Sequence, residues 1–212
     1  LWLLLIIRSR YSDRNLLRSG QSVSPDEVIM SDKLREFARK IYAYNKRTYI
    51  PKVILAFDPG ETTGFACMYD CELFGLLQID TAPDSIRDCW DNLSRVFDYW
   101  SEKADVLHAS IEVSCEDYRV YAHKTESHAW STVHTIKIVG LIQLLTAQRC
   151  NAPIRMRMAS AAKAFVTDAK LESWGIYERT VGKKHARDAV RHAIFHECFP
   201  VAEDSRDDPN PV

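Results

Sequence analysis

Apolar and β-branched residues dominate a run that begins at residue 52, and they predict a buried strand there. The run "KVILAFD" (52–58) ends on a carboxylate, Asp58, and "PGETT" follows it as a compact turn. Two more apolar runs, "GFACMYD" (64–70) and "LFGLLQID" (73–80), stand close behind it. Because short apolar runs bounded by turn residues are typical of neighbouring strands, we expect a three-stranded antiparallel meander.

The rest of the chain alternates between helical and strand patterns. Between residues 82 and 104, apolar residues recur at 86, 90, 93, 97 and 100, which is the spacing of one helix face. The other predicted elements are helices at 31–45, 128–150, 160–175 and 183–199 and strands at 105–118 and 153–158. The order β-β-β-α-β-α-β-α-α predicts an α/β fold with one mixed five-stranded sheet and helices on both faces. This architecture matches the ribonuclease H-like fold, whose catalytic acids lie on the first strand, the fourth strand and the last helix.

Length and composition favour one folded domain with extensions. The chain has 212 residues, of which 46% are apolar, enough to bury one core. We divide it into an N-terminal extension at 1–29, an N-terminal helix at 30–50, the ribonuclease H-like domain at 51–200 and an acidic tail at 201–212. The extension opens on "LWLLLII", well short of the roughly 20 residues that a membrane-spanning helix needs. We therefore expect no membrane partner. Three origins of the extension stay open: a clipped signal or anchor remnant, read-through from an upstream frame, or an apolar arm that packs on a partner; Met30 is a plausible start.

The distribution of charge and of cysteines indicates which kinds of binding site the chain can form. The net charge is −1, but residues 179–192 are basic and residues 203–208 are acidic. The local electrostatic potential is therefore stronger than the net charge suggests. The six cysteines are scattered without a CxxC pair. We therefore expect them to be reduced core residues, and we expect no structural zinc.

The predicted fold brings acidic side chains of three elements to one place. Asp58 ends the first strand, and Glu112 and Glu116 share one face of the fourth strand because strand side chains alternate. On the last helix, His185 and Asp188 stand three residues apart and so share a face. Such ligands suit one or two Mg²⁺ or Mn²⁺ ions, which activate water and stabilise the leaving oxygen of a phosphodiester. Unpaired, the acids would repel one another at pH 7, so we interpret them as metal ligands.

The last helix also carries an apolar stripe that we expect to pack on the sheet. Its members are Ala186, Ala189, Val190, Ala193 and Ile194. We expect His192 and His196 to be ordinary helix-surface residues. Gly60 and Gly64 are interpreted as the residues that allow the turn into the second strand.

Asp58 and the turn behind it also fit a second chemistry, the phosphate cradle of actin-like ATPases and sugar kinases. Those proteins need two such domains and a second phosphate loop, and we find neither in 212 residues. The acids of the last helix have no role in that interpretation. An actin-like nucleotide-binding fragment is therefore the remote alternative.

Five motifs occur along the chain in a fixed order. They are "FDPGETTGFA" (57–66), "EDYRVYAHK" (116–124), "IVGLI" (138–142), "AAKAFVTDAKL" (161–171) and "KHARDAVRHA" (184–193). Together they resemble RuvC-type Holliday-junction resolvases, particularly the bacteriophage RuvC-like branch, over residues 52–198. The resemblance implies a metal-dependent endonuclease that acts on branched DNA such as four-way junctions. It also implies a homodimer in the cytoplasm of a bacterial or phage-infected cell.

The resemblance assigns roles to the acids. Asp58 matches the first-strand acid, and Glu116 matches the fourth-strand acid. His185 and Asp188 match the paired ligands of the final helix, where a histidine in the first place is a variant of the two aspartates that bacterial members often have. Glu112 shares the strand face and is the alternative ligand, but we prefer Glu116 because the motif lies there.

Basic residues within or beside the motifs are interpreted as phosphate contacts, which supply salt-dependent affinity that is independent of base sequence. They are Arg119, Lys124, Lys163, Lys183, Lys184, Arg187 and Arg191. Tyr118, Tyr121 and Trp130 are candidates for stacking on opened bases. The same fold and acids would also suit a nuclease acting on flaps, RNA–DNA hybrids, or phage replication and packaging intermediates. A DNA-binding relative without activity is a third reading.

Overall fold

The computed structural model of the chain describes residues 31–82, 84–118, 129–152 and 154–200. The strands are β1 (Val53–Asp58), β2 (Thr62–Tyr69), β3 (Glu72–Asp80), β4 (Ile111–Glu116) and β5 (Ile154–Arg157). The helices are α1 (Asp32–Tyr44), α2 (Ile86–Leu107), α3 (Ala129–Leu145), α4 (Ala159–Phe165), α5 (Asp168–Ser173) and α6 (Lys184–Cys198). A π-helical turn (Thr146–Cys150) extends α3, and a 3₁₀ turn (Tyr177–Thr180) precedes α6.

The five strands form one mixed sheet in the order β3-β2-β1-β4-β5. β2 is antiparallel to β1 and β3, whereas β4 is parallel to both β1 and β5. This topology confirms the predicted fold class, an α/β ribonuclease H-like sheet. The register pairs Phe57 with Cys115, so the next residues, Asp58 and Glu116, end neighbouring parallel strands at the same edge of the sheet.

Helices cover both faces of the sheet, as the sequence predicts. On one face, α2 and α3 pack on alternate strand residues, among them Leu55, Phe57 and Phe65. On the other face, α1 and α6 pack on the intervening residues, such as Ile54 and Ala56. Because both faces of β1 are covered, that strand is buried over its whole length.

The predicted apolar stripe holds α6 on the sheet. All five of its members are fully buried: Ala186, Ala189, Val190, Ala193 and Ile194. Leu34 and Ala38 of α1 belong to the same core, so the N-terminal helix is part of the folded domain. The predicted extension and acidic tail lie outside the described residues, and the division of the chain into these parts stays a prediction.

The helix predicted over 160–175 is two helices. Val166 leaves the helical path with φ −105° and ψ 83°, and α4 ends before it. Thr167 then caps α5, because its hydroxyl accepts a hydrogen bond from the N–H of Lys170 at 3.4 Å. The sequence shows one helix here because the apolar spacing continues across the break.

The strand predicted over 105–118 is shorter than expected. α2 continues through Leu107 and ends on His108, which has a left-handed conformation. β4 therefore begins only at Ile111. The apolar residues on either side of His108 belong to two different elements, which their composition alone does not separate.

The six cysteines are free thiols, and five of them are buried. This confirms their predicted place in the core. None of the helices within the described ranges is long and apolar enough to cross a membrane.

A carboxyl group is buried near the C-terminal end of α6. Glu197 is 1% exposed, and Tyr49 donates a hydrogen bond to it. Burial raises the pKa of Glu197 to about 7, with Lys52 opposing the shift and Glu112 adding to it. Between about pH 4.5 and pH 7 the folded protein therefore binds a proton that the unfolded chain does not bind. The stability that this proton contributes is complete at low pH and is lost as the pH rises through about 7.

We expect Glu197→Gln to stabilise the protein at pH 8 by roughly 2 to 3 kcal/mol, because the variant buries a neutral amide where the wild type buries a charge. At pH 5 the difference should fall to about 1 kcal/mol or less, because the folded protein then holds the proton and only the unfolded chain is largely ionised. The measurement is urea unfolding at both pH values, with Glu172→Gln at an exposed helix position as the matched control. An equal effect of Glu197→Gln at the two pH values would contradict this account.

Candidate active site

The ends of β1 and β4 place two carboxyl groups in contact. Asp58 is 7% exposed, and its carboxyl group forms a hydrogen bond with that of Glu116. The contact follows from the sheet, because both residues are the last of neighbouring parallel strands. The structure thus brings together two of the acids that the sequence predicts for the site.

Two histidines of α6 reach these carboxyl groups. Nδ1 of His185 lies 2.8 Å from Oδ2 of Asp58, and Nε2 of His192 lies 3.2 Å from Oε2 of Glu116. The sequence predicts His192 and His196 on the helix surface, yet each is 1% exposed. That prediction is wrong because periodicity shows which residues share a helix face, not which face meets the sheet.

Asp188, one helical turn after His185, is held by cations. It is 4% exposed, and Nζ of Lys163 lies 3.0 Å from its Oδ2. Arg191 donates to the other oxygen of Asp188 and also pairs with Asp168. The negative charge of Asp188 is therefore balanced by Lys163 and Arg191, whereas the carboxyl groups of Asp58 and Glu116 contact imidazoles.

The carboxyl groups change one another's ionisation. Burial raises the pKa of Asp58 to about 6; the hydrogen bond with His185 opposes this shift, and the charges of Glu116 and Asp188 add to it. Burial also acts to raise the pKa of Glu116, but hydrogen bonds with His192 and Asp58 outweigh it and lower the value. A proton held by Asp58 in its hydrogen bond to Glu116 accounts for both directions.

Two neighbouring groups become stronger bases. The hydrogen bond with Asp58 raises the pKa of His185, although burial opposes it. Burial acts to lower the pKa of Lys163, but the contact with Asp188 and the charges of the other acids raise it overall. Both groups therefore hold their protons more strongly than they would in solution, because the acids of this site stabilise the charged forms.

Glu112 lies away from these groups. It precedes Glu116 by four residues on β4, about 13 Å along the strand. Its Oε2 lies 3.1 Å from Nζ of Lys52 and 2.5 Å from Nε2 of His196. Although burial acts to raise the pKa of Glu112, these partners lower it to about 2. The structure thus has Glu116, and not Glu112, beside Asp58.

Gly64 allows α6 to approach the sheet. It lies within β2, opposite Asp58 in the register, and not in the turn as the sequence predicts. A Cβ at Gly64 would stand 2.0 Å from the backbone oxygen of His185, so any larger residue would push the first turn of α6 away. Gly60 has neither a positive φ nor a close neighbour, and nothing in its surroundings requires glycine.

Thr81 closes the turn that follows Asp58. Its hydroxyl donates to the carbonyl oxygen of Gly60 at 2.7 Å, and its N–H donates to the carbonyl oxygen of Glu61 at 3.0 Å. The hydroxyl of Thr63 lies 2.7 Å from that of Thr81. These contacts hold the turn in place beside the carboxyl groups, and the sequence pattern gave no sign of them.

The predicted phosphate contacts divide into exposed and covered groups. Lys183 and Lys184 are exposed at the start of α6, and the side chain of Lys163 is 46% exposed. Arg187 stacks on the ring of Tyr177 at 4.6 Å. Arg191 is 12% exposed and bound to acids, so it acts as an internal ion-pair partner in this structure.

The remaining predicted nucleic-acid contacts are less fully described. Tyr118, just after β4, is 36% exposed. Arg119, Tyr121 and Lys124 lie outside the described residues, as does the side chain of Trp130. Their roles stay predictions.

The donor set fits a hard divalent cation in its chemistry. Within the described residues, no three side chains of His, Cys, Asp or Glu form a ready-made set of metal ligands. Asp58 and Glu116 nevertheless place carboxyl oxygens together, and negative neighbours help to raise the pKa of Asp58. A divalent cation relieves such a conflict of charge, and carboxylate oxygens are the ligands that Mg²⁺ and Mn²⁺ prefer.

Comparison with known proteins finds similarity to solved structures. No protein-family model and no curated protein matches the chain. Among solved structures, RuvC of T. thermophilus in complex with a Holliday junction substrate is 17% identical, with a TM-score of 0.49 over 70% of this chain and 94% of that one. A second Thermus thermophilus RuvC structure is also 17% identical, with a TM-score of 0.46 over 69% and 94%. The strand order β3-β2-β1-β4-β5 identifies the fold independently of these matches.

We expect Gly64→Ala to destabilise the protein by roughly 1 to 3 kcal/mol, because the backbone of α6 has to move to admit the new methyl group. Gly140→Ala is the matched control: a Cβ at Gly140 in α3 meets nothing within 4 Å, and alanine favours a helix by up to about 1 kcal/mol over glycine. Thermal and urea unfolding of both variants measure the difference. Equal stability of the two variants would mean that Gly64 does not set the position of α6.

Proposed function

We propose that this chain is a divalent-metal-dependent endonuclease that cleaves phosphodiesters in branched DNA, in the manner of a Holliday-junction resolvase. The observation that carries the proposal is the contact of Asp58 with Glu116 at the ends of adjacent parallel strands, beneath His185 and Asp188 of α6. Acids from three separate elements converge there, and a purely structural role would not require burying them together. The motif resemblance supplies the substrate class, the bacteriophage branch, the homodimer and the cytoplasmic setting as parts of this proposal.

Asp58, Glu116, Asp188 and His185 are the residues that would hold the ion. When bound, Mg²⁺ or Mn²⁺ would supply an activated water and stabilise the leaving oxygen, giving 5′-phosphate and 3′-hydroxyl ends. His185 orients the Asp58 carboxyl group through its Nδ1, 2.8 Å from Oδ2. Lys163 holds Asp188 at 3.0 Å and, being partly exposed, stands beside the place where a DNA phosphate would enter.

Exposed cations at the start of α6 would bind the DNA backbone. Lys183 and Lys184 directly precede His185, and both are exposed. Two lysines at the mouth of an acidic site attract phosphate toward carboxyl groups that would otherwise repel it. Arg187 and Arg191 contribute less to this surface because other side chains already engage them.

We expect Asp58→Asn and Glu116→Gln each to lower the rate of four-way-junction cleavage by more than about 100-fold. Both residues are proposed direct ligands of the metal ion, and the loss of a residue that only supports a ligand already costs about 10- to 100-fold. Binding of the junction should persist, because removing negative charge does not repel phosphate. Cleavage of labelled synthetic junctions in Mg²⁺ measures the first effect, and gel-shift titration in Ca²⁺ measures the second. Glu112→Gln makes the same chemical change on the same strand face, outside the site, and should cleave at close to the wild-type rate.

Cleavage by Asp58→Asn at the wild-type rate would reject the site. Flaps, RNA–DNA hybrids and linear duplexes run beside the junction test the substrate. Preference of the wild type for one of them would keep the metal site and reject the four-way junction as the substrate. Binding of ATP without any cleavage would instead favour the actin-like alternative.

We expect Lys183→Ala with Lys184→Ala to reduce the slope of log K for junction binding against log salt concentration by about 2, because each lost phosphate contact removes about 1. The matched control is Lys33→Ala with Lys40→Ala, two exposed lysines on α1. α1 contacts the β2–β3 turn through Arg35, at the end of the sheet opposite Asp58. An unchanged slope in the first double variant would place the DNA elsewhere.

A further inference from the structure

Two buried histidines of α6 pair with two glutamates of β4. Nε2 of His192 lies 3.2 Å from Oε2 of Glu116, and Nε2 of His196 lies 2.5 Å from Oε2 of Glu112. The histidines are four residues apart on the helix, and the glutamates are four apart on the strand. Each histidine is 1% exposed. The two pairs therefore match in residue type and burial, and their surroundings decide what each pair does.

The second pair is complete as a structural element. Nδ1 of His196 lies 3.3 Å from a guanidinium nitrogen of Arg157, so both ring nitrogens have partners. Glu112 is also paired with Lys52 at 3.1 Å. Both ring nitrogens of His196 and the charge of Glu112 therefore have partners within the protein, as expected for a contact that stabilises the fold.

The first pair is incomplete. Nδ1 of His192 is buried and has no hydrogen-bond partner among the described residues. A buried polar nitrogen without a partner costs stability, and an apolar side chain of similar size would avoid that cost. Among the described residues, the polar contact of His192 is directed at Glu116, which in turn touches Asp58. Stability alone therefore does not explain a histidine at this position.

We propose that His192 is a positioning residue that donates from Nε2 to Glu116 and holds this carboxyl group against Asp58. A carboxyl group with a donor on one side and Asp58 on the other has a fixed orientation before any cation arrives. Outer partners of this kind typically change metal affinity by about 10- to 100-fold when they are removed. The catalytic consequence rests on the proposed function, whereas the consequence for cation binding does not.

The test compares three changes at residue 192 with one at residue 196, using Mn²⁺ alone as the probe of the full chain. His192→Leu should weaken Mn²⁺ binding by about 10-fold, measured from the free-ion signal in electron paramagnetic resonance. His192→Gln keeps a donor long enough to reach Glu116 and should recover most of the affinity. His192→Asn is polar but shorter by one methylene and should stay weak. His196→Leu should bind Mn²⁺ as the wild type does, even if it is less stable.

The Gln and Asn variants keep the proposal testable if His192→Leu does not fold. Unfolding curves are recorded for every variant, so a loss of Mn²⁺ affinity can be compared with a loss of stability. Equal Mn²⁺ affinity in the Gln and Asn variants, or an equal loss in His196→Leu, would overturn the positioning role. A wild type that binds no Mn²⁺ would overturn it as well.

Cleavage assays separate this inference from the proposed function. If His192→Asn fails only in metal binding, it needs more Mn²⁺ for half-maximal cleavage but reaches the wild-type rate at saturating Mn²⁺. That result would support both the positioning role and the nuclease assignment. If the wild type binds Mn²⁺ with the expected order of variants but cleaves no DNA, the positioning role stands and the nuclease assignment fails.

Discussion

The carboxyl groups of Asp58 and Glu116 are largely buried in contact with each other, and the residues around them offset the cost of that contact. Asp58 and Glu116 meet because β1 and β4 are parallel neighbours that end together. Burial, and after it the charge of Glu116, raises the pKa of Asp58, and a cost of this kind persists only where other groups offset it. Around the pair the fold places His185 and His192, and beside it an acid, Asp188, that already has its own cations.

One helix, α6, supplies most of the residues that offset this cost. α6 uses small apolar residues to lie close to β1 and β2, and its polar residues then face the strand ends. Close approach is possible because Gly64 leaves room for the backbone at His185. The apolar stripe, the glycine and the imidazoles are therefore parts of one arrangement. A change that lifts α6 by even a small distance would loosen the packing and release the contact with Asp58 together.

Much of the fold and part of the site follow from sequence patterns, for identifiable reasons. Period-two and helical spacing predict the order of the elements along the chain, and the ribonuclease H-like fold that this order matches brings the ends of the first and fourth strands, and so Asp58 and Glu116, together. The same patterns cannot orient a helix about its axis, so the buried state of His192 and His196 is missed. Their spacing of four, matching that of Glu112 and Glu116, was the available signal. The role of Gly64 depends on contact between distant segments, which no local pattern contains.

The two ends of β4 show why like residues take different roles. Glu112 has Lys52 as an ion-pair partner and a low pKa, so its negative charge is balanced within the protein. For Glu116 and Asp58, no lysine or arginine of the described chain forms an ion pair; their contacts are imidazoles and each other. Glu112 is engaged by Lys52 and His196 and lies about 13 Å along the strand from Glu116, so it is not placed to share an ion with Asp58. The negative charge of the pair at the sheet edge is only partly compensated by the protein itself, and this is the charge that the proposed metal ion would balance.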